Sequence, residues 1–168
     1  PVVLAGAGTV GLEIMEDLPE TDFVVVPVGG GGLLGGITSA VKQLRLQTKV
    51  IAVELAAGPG MKPALEAGKP IPVKRPPTLA DGMTPPFVGA LPLKIAQEAV
   101  DDIVFVSENE IIEAMKLLMT RCKLYVEASG AAATAALLFG KIKVPPGSKI
   151  VALVSGGNID FNKLVSIV

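Results

Sequence analysis

Phe23-Val24-Val25-Val26-Pro27-Val28-Gly29-Gly30-Gly31-Gly32-Leu33-Leu34-Gly35-Gly36 decides how the rest of the chain is read. Its first part, Phe23 to Val26, is an unbroken apolar run rich in β-branched residues, which suits a strand buried on both faces. The amphipathic stretch that follows, Ile37 to Leu44, has helical spacing. The context is therefore strand, glycine turn, helix. Four successive glycines remove every Cβ, so backbone N–H groups can approach an anion closely. They do so where a helix N-terminus adds its partial positive charge. This is the chemistry of a phosphate cradle, and a tight turn that lets helix pack on sheet is the competing reading of the same residues.

The cradle is not of the P-loop kind. That motif ends in Gly-Lys-Ser or Gly-Lys-Thr, and Leu33-Leu34 stand there instead, so no lysine reaches a terminal phosphate and no hydroxyl holds magnesium. A dinucleotide site needs spaced glycines and an acid at the end of the next strand, about 20 residues on. Glu54, after Val50 to Val53, keeps that reading open, although four adjacent glycines offer a compact nest for one phosphate rather than a track for two.

Composition narrows the class. The chain has 168 residues, 50% hydrophobic and 18% charged, with 19 glycines and 14 prolines, enough for one sizeable core, and a single α/β domain over 1–168 is expected. A net charge of -1 without basic clusters argues against nucleic acid and anionic membranes as partners. No apolar run approaches the ~18 residues of a membrane span. Cys122 is the one cysteine, which fits a reducing, cytoplasmic setting. Histidine is absent, so acid–base chemistry must rest on carboxylate, lysine, hydroxyl or a cofactor.

Along the chain, Pro1 to Ala5 reads as the tail of a short apolar segment and as the start of a fragment. Thr9 is then the expected N-cap of a helix from Val10 to Leu18, with Glu13 in its first turns. Glu54 stands at a strand's carboxyl edge, where it reaches a ligand or a metal, or is a solvated loop acid. A short helix is expected at Pro63 to Glu66, and the proline-rich stretch Lys69 to Pro92 as a loop over the active site. Leu93 to Ala99 reads as helix and Ile103 to Val106 as strand. Ser107 with Glu110 forms a capping box for a long helix to about Lys123. Glu127 precedes a small-residue helix, Ala131 to Phe139, and Lys149 to Val154 is the last strand. It delivers Ser155-Gly156-Gly157-Asn158, which is either a second ligand-directed turn or a structural one.

Taken together, Ala5 to Glu13, Val26 to Leu33, Ala80-Asp81-Gly82, Val126 to Ala131 and Ser155 to Asp160 resemble the threonine dehydratase (threonine ammonia-lyase) and serine racemase family, within the fold-type II pyridoxal-phosphate enzymes. The resemblance covers essentially the whole chain, but only the carboxyl-terminal part of such a catalytic unit. It implies a three-layer, open, mostly parallel twisted sheet with helices on both faces, the large domain of the tryptophan-synthase-β-like fold. It implies pyridoxal 5'-phosphate as cofactor, with Gly29, Gly30, Gly31, Gly32 and Leu33 around its phosphate, Ser155 at the pyridine nitrogen, and Gly82 and Glu127 nearby. A neutral hydroxyl at that nitrogen makes the ring a weaker electron sink than a carboxylate would, favouring β-elimination of water from threonine or serine.

The departures are equally specific. The family's Schiff-base lysine lies in a Ser-Phe-Lys-x-Arg-Gly type motif near the amino terminus, and no lysine here has that setting. The loop that binds the substrate carboxylate is missing too, so the chain alone is expected to be inactive and to need an amino-terminal segment as partner. Relatives with a divalent cation place a second acid soon after Glu54, where this chain has Gly58 and Gly60, which makes a metal at Glu54 doubtful. The family's usual glutamine is Ala7. The tail from Asp160 to Val165 resembles the point where regulated relatives continue into a further domain. The resemblance also implies a homo-oligomer when complete. A stand-alone binding module of the same fold, racemase chemistry in the full protein and a nucleotide-binding domain remain as alternatives.

Overall fold

The computed structural model describes residues 1–165 and 167. In chain order it contains α1 (Val2–Asp17), β1 (Phe23–Pro27), α2 (Gly32–Leu44), β2 (Lys49–Leu55), α3 (Met61–Ala67), a 3-10 turn (Asp81–Met83) and α4 (Ala90–Ala99). These are followed by β3 (Asp102–Val106), α5 (Glu108–Thr120), α6 (Ala128–Leu138), β4 (Ile150–Ala152) and α7 (Phe161–Val165). The four strands form one parallel sheet in the order β3-β2-β1-β4.

The apolar run in β1 is central because both of its faces are covered. Val24 and Val26 join Val50 and Ala52 against Leu34, Ile37 and Val41 of α2, with Met15 of α1 and Leu93 of α4. Val25 joins Ile51 and Val53 on the other face, against Ile111 and Met115 of α5 and the alanines of α6. Val24, Val25 and Val26 are wholly inaccessible to solvent. Burial of such a side chain contributes about 1.5–3 kcal/mol, so this run anchors two cores at once and fixes the three-layer arrangement.

The opening helix departs from the sequence reading. Pro1 to Ala5 is not a separate apolar segment ahead of the first helix, because α1 begins at Val2 rather than Val10 and runs through Gly6, Gly8 and Gly11. Thr9 is therefore no N-cap, and its hydroxyl donates to the Gly6 carbonyl at 2.8 Å. Glycines inside a helix cost up to about 1 kcal/mol each in propensity. Gly11 and, on α2, Gly36 let the two helices approach closely, for a Cβ on Gly36 would lie 2.4 Å from the Leu4 carbonyl oxygen and one on Gly11 2.9 Å from the Ala40 Cβ. Packing overrides propensity here, so the helix starts eight residues before the expected Val10.

The other elements differ mainly at their ends. Helix α2 starts at Gly32 rather than Ile37, α4 at Ala90 rather than Leu93, and α6 at Ala128 rather than Ala131, each taking small residues or proline into its first turn. Helix α5 stops at Thr120, short of Lys123, and β4 is only three residues long. The capping box is present as read: Ser107 accepts from the Glu110 N–H, and the Glu110 carboxylate accepts from the Ser107 N–H.

Topology places the site. From β1 the chain moves outward through β2 and β3, then returns to β4 on the opposite side of β1. Order reverses at β1, so the helices following β1 and preceding β4 lie on different faces and leave a crevice at the strands' carboxyl ends.

Candidate functional site

The turn after β1 builds one wall of that crevice. Gly31 has φ 86°, the left-handed region that favours glycine, and it turns the chain into α2. Among the described residues the N–H groups from Gly29 to Leu34 donate to no protein acceptor, because the first return bond of α2 runs from Gly35 N–H to the Gly31 carbonyl at 2.8 Å. A helix leaves its first N–H groups unpaired in this way, and here two glycine-only residues extend the row. Side chains are excluded from part of it for a second reason. A Cβ on Gly29 would stand 2.1 Å from the Gly82 carbonyl oxygen.

That contact shows what the proline-rich segment does. It is irregular from Gly68 to Gly89 apart from the 3-10 turn and a bridge between Pro72 and Phe87, and it lies against the glycine turn. The Gly30 carbonyl accepts from Gly89 N–H at 3.1 Å. On its far side the segment is held by Glu108, whose carboxylate accepts from the Thr78 hydroxyl and, at 2.6 Å, from the Leu79 N–H.

The opposite wall comes from α6 and the turn after β4. Gly156 has φ 92°, and a Cβ on Gly130 would lie 2.5 Å from the Ser155 carbonyl oxygen, so the start of α6 is seated on this turn. Glu127 is the N-cap of α6, but its side chain caps nothing in the helix. The carboxylate instead accepts from the Asn158 N–H at 2.9 Å, and the Glu127 N–H donates to the Gly156 carbonyl at 3.2 Å. Glu127 thus clips the second turn to the helix.

The crevice between these walls has a volume of about 220 Å3. Gly29, Gly30, Gly31, Gly32, Leu33, Gly82, Glu127 and Ser155, the eight positions expected from sequence, all line it. Pro27, Val28, Leu34, Met83 and Ser129 line it too. Ser129 was hidden in the sequence by its alanine-rich surroundings, which read as packing. Its signal was being the one polar side chain in the first five residues of α6. No lysine or arginine is among the lining residues, and the positive character of this wall is that of backbone N–H groups and the roughly half-unit positive end of α2.

Glu54 needs correction. It is neither a solvated loop acid nor aimed at the crevice, since it is 2% exposed and absent from the lining residues. Its carboxylate accepts from the N–H groups of Gly60, Met61 and Lys62 at 2.7, 2.6 and 2.9 Å, fastening β2 to the start of α3. Buried and away from the crevice, it has no ribose contact to offer a dinucleotide. Among the described residues no group of three or more His, Cys, Asp or Glu side chains could hold a metal ion. No helix among them is long and apolar enough to cross a membrane.

The comparisons with known proteins bear on the family and the fold. L-threonine ammonia-lyase of Thermotoga maritima is 44% identical over 168 residues, which is 100% of this chain and 41% of that protein. The catabolic L-threonine dehydratase of Escherichia coli is 45% identical over 168 residues, 99% of this chain and 51% of its own length. Among solved structures, maize serine racemase superposes with a TM-score of 0.88 at 36% identity, covering 97% of this chain and 50% of its own. The T.th. threonine deaminase gives 0.86 at 41% identity, over 94% and 57%. The chain thus spans about half the length of the relatives it matches. The family model described as pyridoxal-phosphate dependent enzyme matches residues 1–156, and on that match the chain belongs to the pyridoxal-phosphate dependent enzyme family.

Proposed function

We propose that these residues form the cofactor-binding part of a threonine or serine dehydratase, a lyase that releases water and ammonia and leaves a 2-oxo acid. The observation that carries the reading is the row of unpaired N–H groups from Gly29 to Leu34, facing a crevice whose opposite wall bears Ser155 and Glu127. That row fits a phosphate monoester, because close approach of an anion to backbone needs residues without Cβ at a helix N-terminus. Pyridoxal phosphate, when bound, supplies an electron sink for the substrate's α-carbon. The chain's own residues hold the phosphate, present a neutral hydroxyl at Ser155 rather than a carboxylate, and wall the crevice with apolar Val28, Leu34 and Met83.

No lysine lines the crevice, so in this reading the covalent anchor comes from chain outside these 168 residues, as does the loop for the substrate carboxylate. A homo-oligomer in the cytoplasm goes with the same reading. Racemisation of serine is the second reading, supported by the likeness to maize serine racemase. The test is to assay 2-oxo acid release from threonine and serine. A pyridoxal-phosphate-loaded protein that includes the lysine-bearing segment should release it, and the 168-residue chain alone should not. Turnover by the chain alone, or an inert complete protein, would overturn the proposal.

A further inference from the structure

Ser129 is the side chain in the crevice that neither packing nor secondary structure accounts for. It sits in the first turn of α6 and is 9% exposed. Hydroxyls in helices commonly bond back to a carbonyl three or four residues earlier. Ser39 does so with the Gly35 carbonyl at 2.8 Å, and Thr120 with the Lys116 carbonyl at 2.6 Å. The Ser129 hydroxyl makes no hydrogen bond to any described residue, yet it faces the crevice. The residue is mostly buried but its hydroxyl opens on the crevice, so its hydrogen-bonding capacity is left to water or to a ligand.

The surroundings are shaped to leave that hydroxyl free. Across from it stands Gly82, where a Cβ would lie 2.9 Å from the Ser129 Oγ. One oxygen of the neighbouring Glu127 carboxylate accepts from the Asn158 N–H at 2.9 Å, and no hydrogen bond joins that carboxylate to the Ser129 hydroxyl. The glycine row on the far wall offers unpaired N–H donors, while its Gly30 and Gly31 carbonyls are already engaged by Gly89 and Gly35. A hydroxyl both donates and accepts, so Ser129 complements whatever polar group a ligand presents away from its phosphate.

We propose that Ser129 is a ligand-contacting residue of this site, hydrogen-bonding a polar ring substituent of the bound phosphate-bearing cofactor. Gly82 is glycine so that this hydroxyl stays clear. The inference rests on the cofactor reading given above and adds a contact to it. Ser155 and Ser129 then read the ring from one wall while the glycine row holds the phosphate from the other.

The test compares Ser129→Ala with the unaltered chain, using pyridoxal phosphate and inorganic phosphate as separate probes. Alanine is the best helix former and suits an alanine-rich turn, so the fold should be kept, as far-ultraviolet circular dichroism will verify. Loss of one neutral hydrogen bond should weaken pyridoxal phosphate about three- to tenfold and shift the absorption band of the bound ring. Affinity for inorganic phosphate, which reaches only the glycine row, should stay the same. The contact is refuted if pyridoxal phosphate binds both proteins alike with one spectrum. It is equally refuted if both probes weaken together, for that marks a displaced wall. Failure of the unaltered chain to bind pyridoxal phosphate at all would instead remove the cofactor reading, and this contact with it.

Discussion

The four glycines after β1 are not equivalent, and single alanine substitutions should separate what the fold needs from what a ligand needs. At Gly29 a new Cβ would be 2.1 Å from the Gly82 carbonyl oxygen, a backbone atom that cannot swing aside. Relief requires moving the 3-10 turn, and overpacking of this kind costs typically about 1–3 kcal/mol. At Gly31 the left-handed φ of 86° adds about 1–2 kcal/mol for an L residue, and the Cβ would also meet Pro92 Cβ at 2.7 Å. At Gly30 the nearest atom is Pro85 Cβ at 4.0 Å, and the backbone is not left-handed. Gly30→Ala should therefore be neutral or stabilising by about 0.4–1 kcal/mol, through the reduced freedom of the unfolded chain. Urea unfolding reads all three. Phosphate titration then gives the functional half. Gly30→Ala, though fully folded, should lose phosphate affinity, because Gly30 lines the crevice and an added methyl crowds an anion's approach to the N–H row. A Gly29→Ala protein with the unaltered denaturation midpoint would refute the close approach. A Gly30→Ala protein with unaltered phosphate affinity would refute the cradle.

Three further substitutions test how the walls are held. Ser107→Ala removes the capping box of α5 and should cost about 1 kcal/mol, a fall of about 2–4 °C in melting temperature for a chain of this size. Glu54→Gln turns an amide NH2 toward one of three backbone N–H donors, so it should destabilise by about 1–3 kcal/mol in thermal or urea unfolding, and an unchanged midpoint would argue against the described role. Glu110 tests a pH dependence. Burial raises its pKa, but Lys141 at 2.7 Å and the Ser107 groups outweigh burial and hold it below the ordinary value of 4.5. A depressed carboxyl stabilises the fold above its unfolded pKa and loses that contribution as pH falls through the folded one. Lys141→Met should therefore lower stability at neutral pH and flatten the acid side of the urea midpoint against pH, whereas parallel curves would refute the coupling.

How much of this was legible in the sequence depended on range. The strand, glycine turn and helix around Gly29 to Gly32, and the Ser107 and Glu110 cap, were readable because their signals are local: an apolar run, missing side chains, an acid three residues past a serine. The site residues on α6 and after β4 came through resemblance to a family rather than through spacing, since nothing local ties Glu127 to Ser155. What failed was set by contacts across the fold. Gly6 and Gly8 read as a turn before a helix at Val10, whereas α1 already starts at Val2 and meets α2 at Gly8 and Gly11. Glu54 looks like a ligand acid until α3 turns its first N–H groups onto it. Ser129 looks like filler until Gly82 is opposite.

The claim beneath the account is that backbone N–H groups of the glycine turn bind the cofactor's phosphate without help from a lysine. Titration of pyridoxal phosphate into the 168-residue chain, followed by amide chemical shifts, tests it most directly. Weak, saturable binding should move the amides from Gly29 to Leu34 with either pyridoxal phosphate or inorganic phosphate. The amides around Ser129 and Ser155 should move with pyridoxal phosphate alone. Binding that leaves the Gly29 to Leu34 amides unmoved, or no binding of either probe, would contradict it.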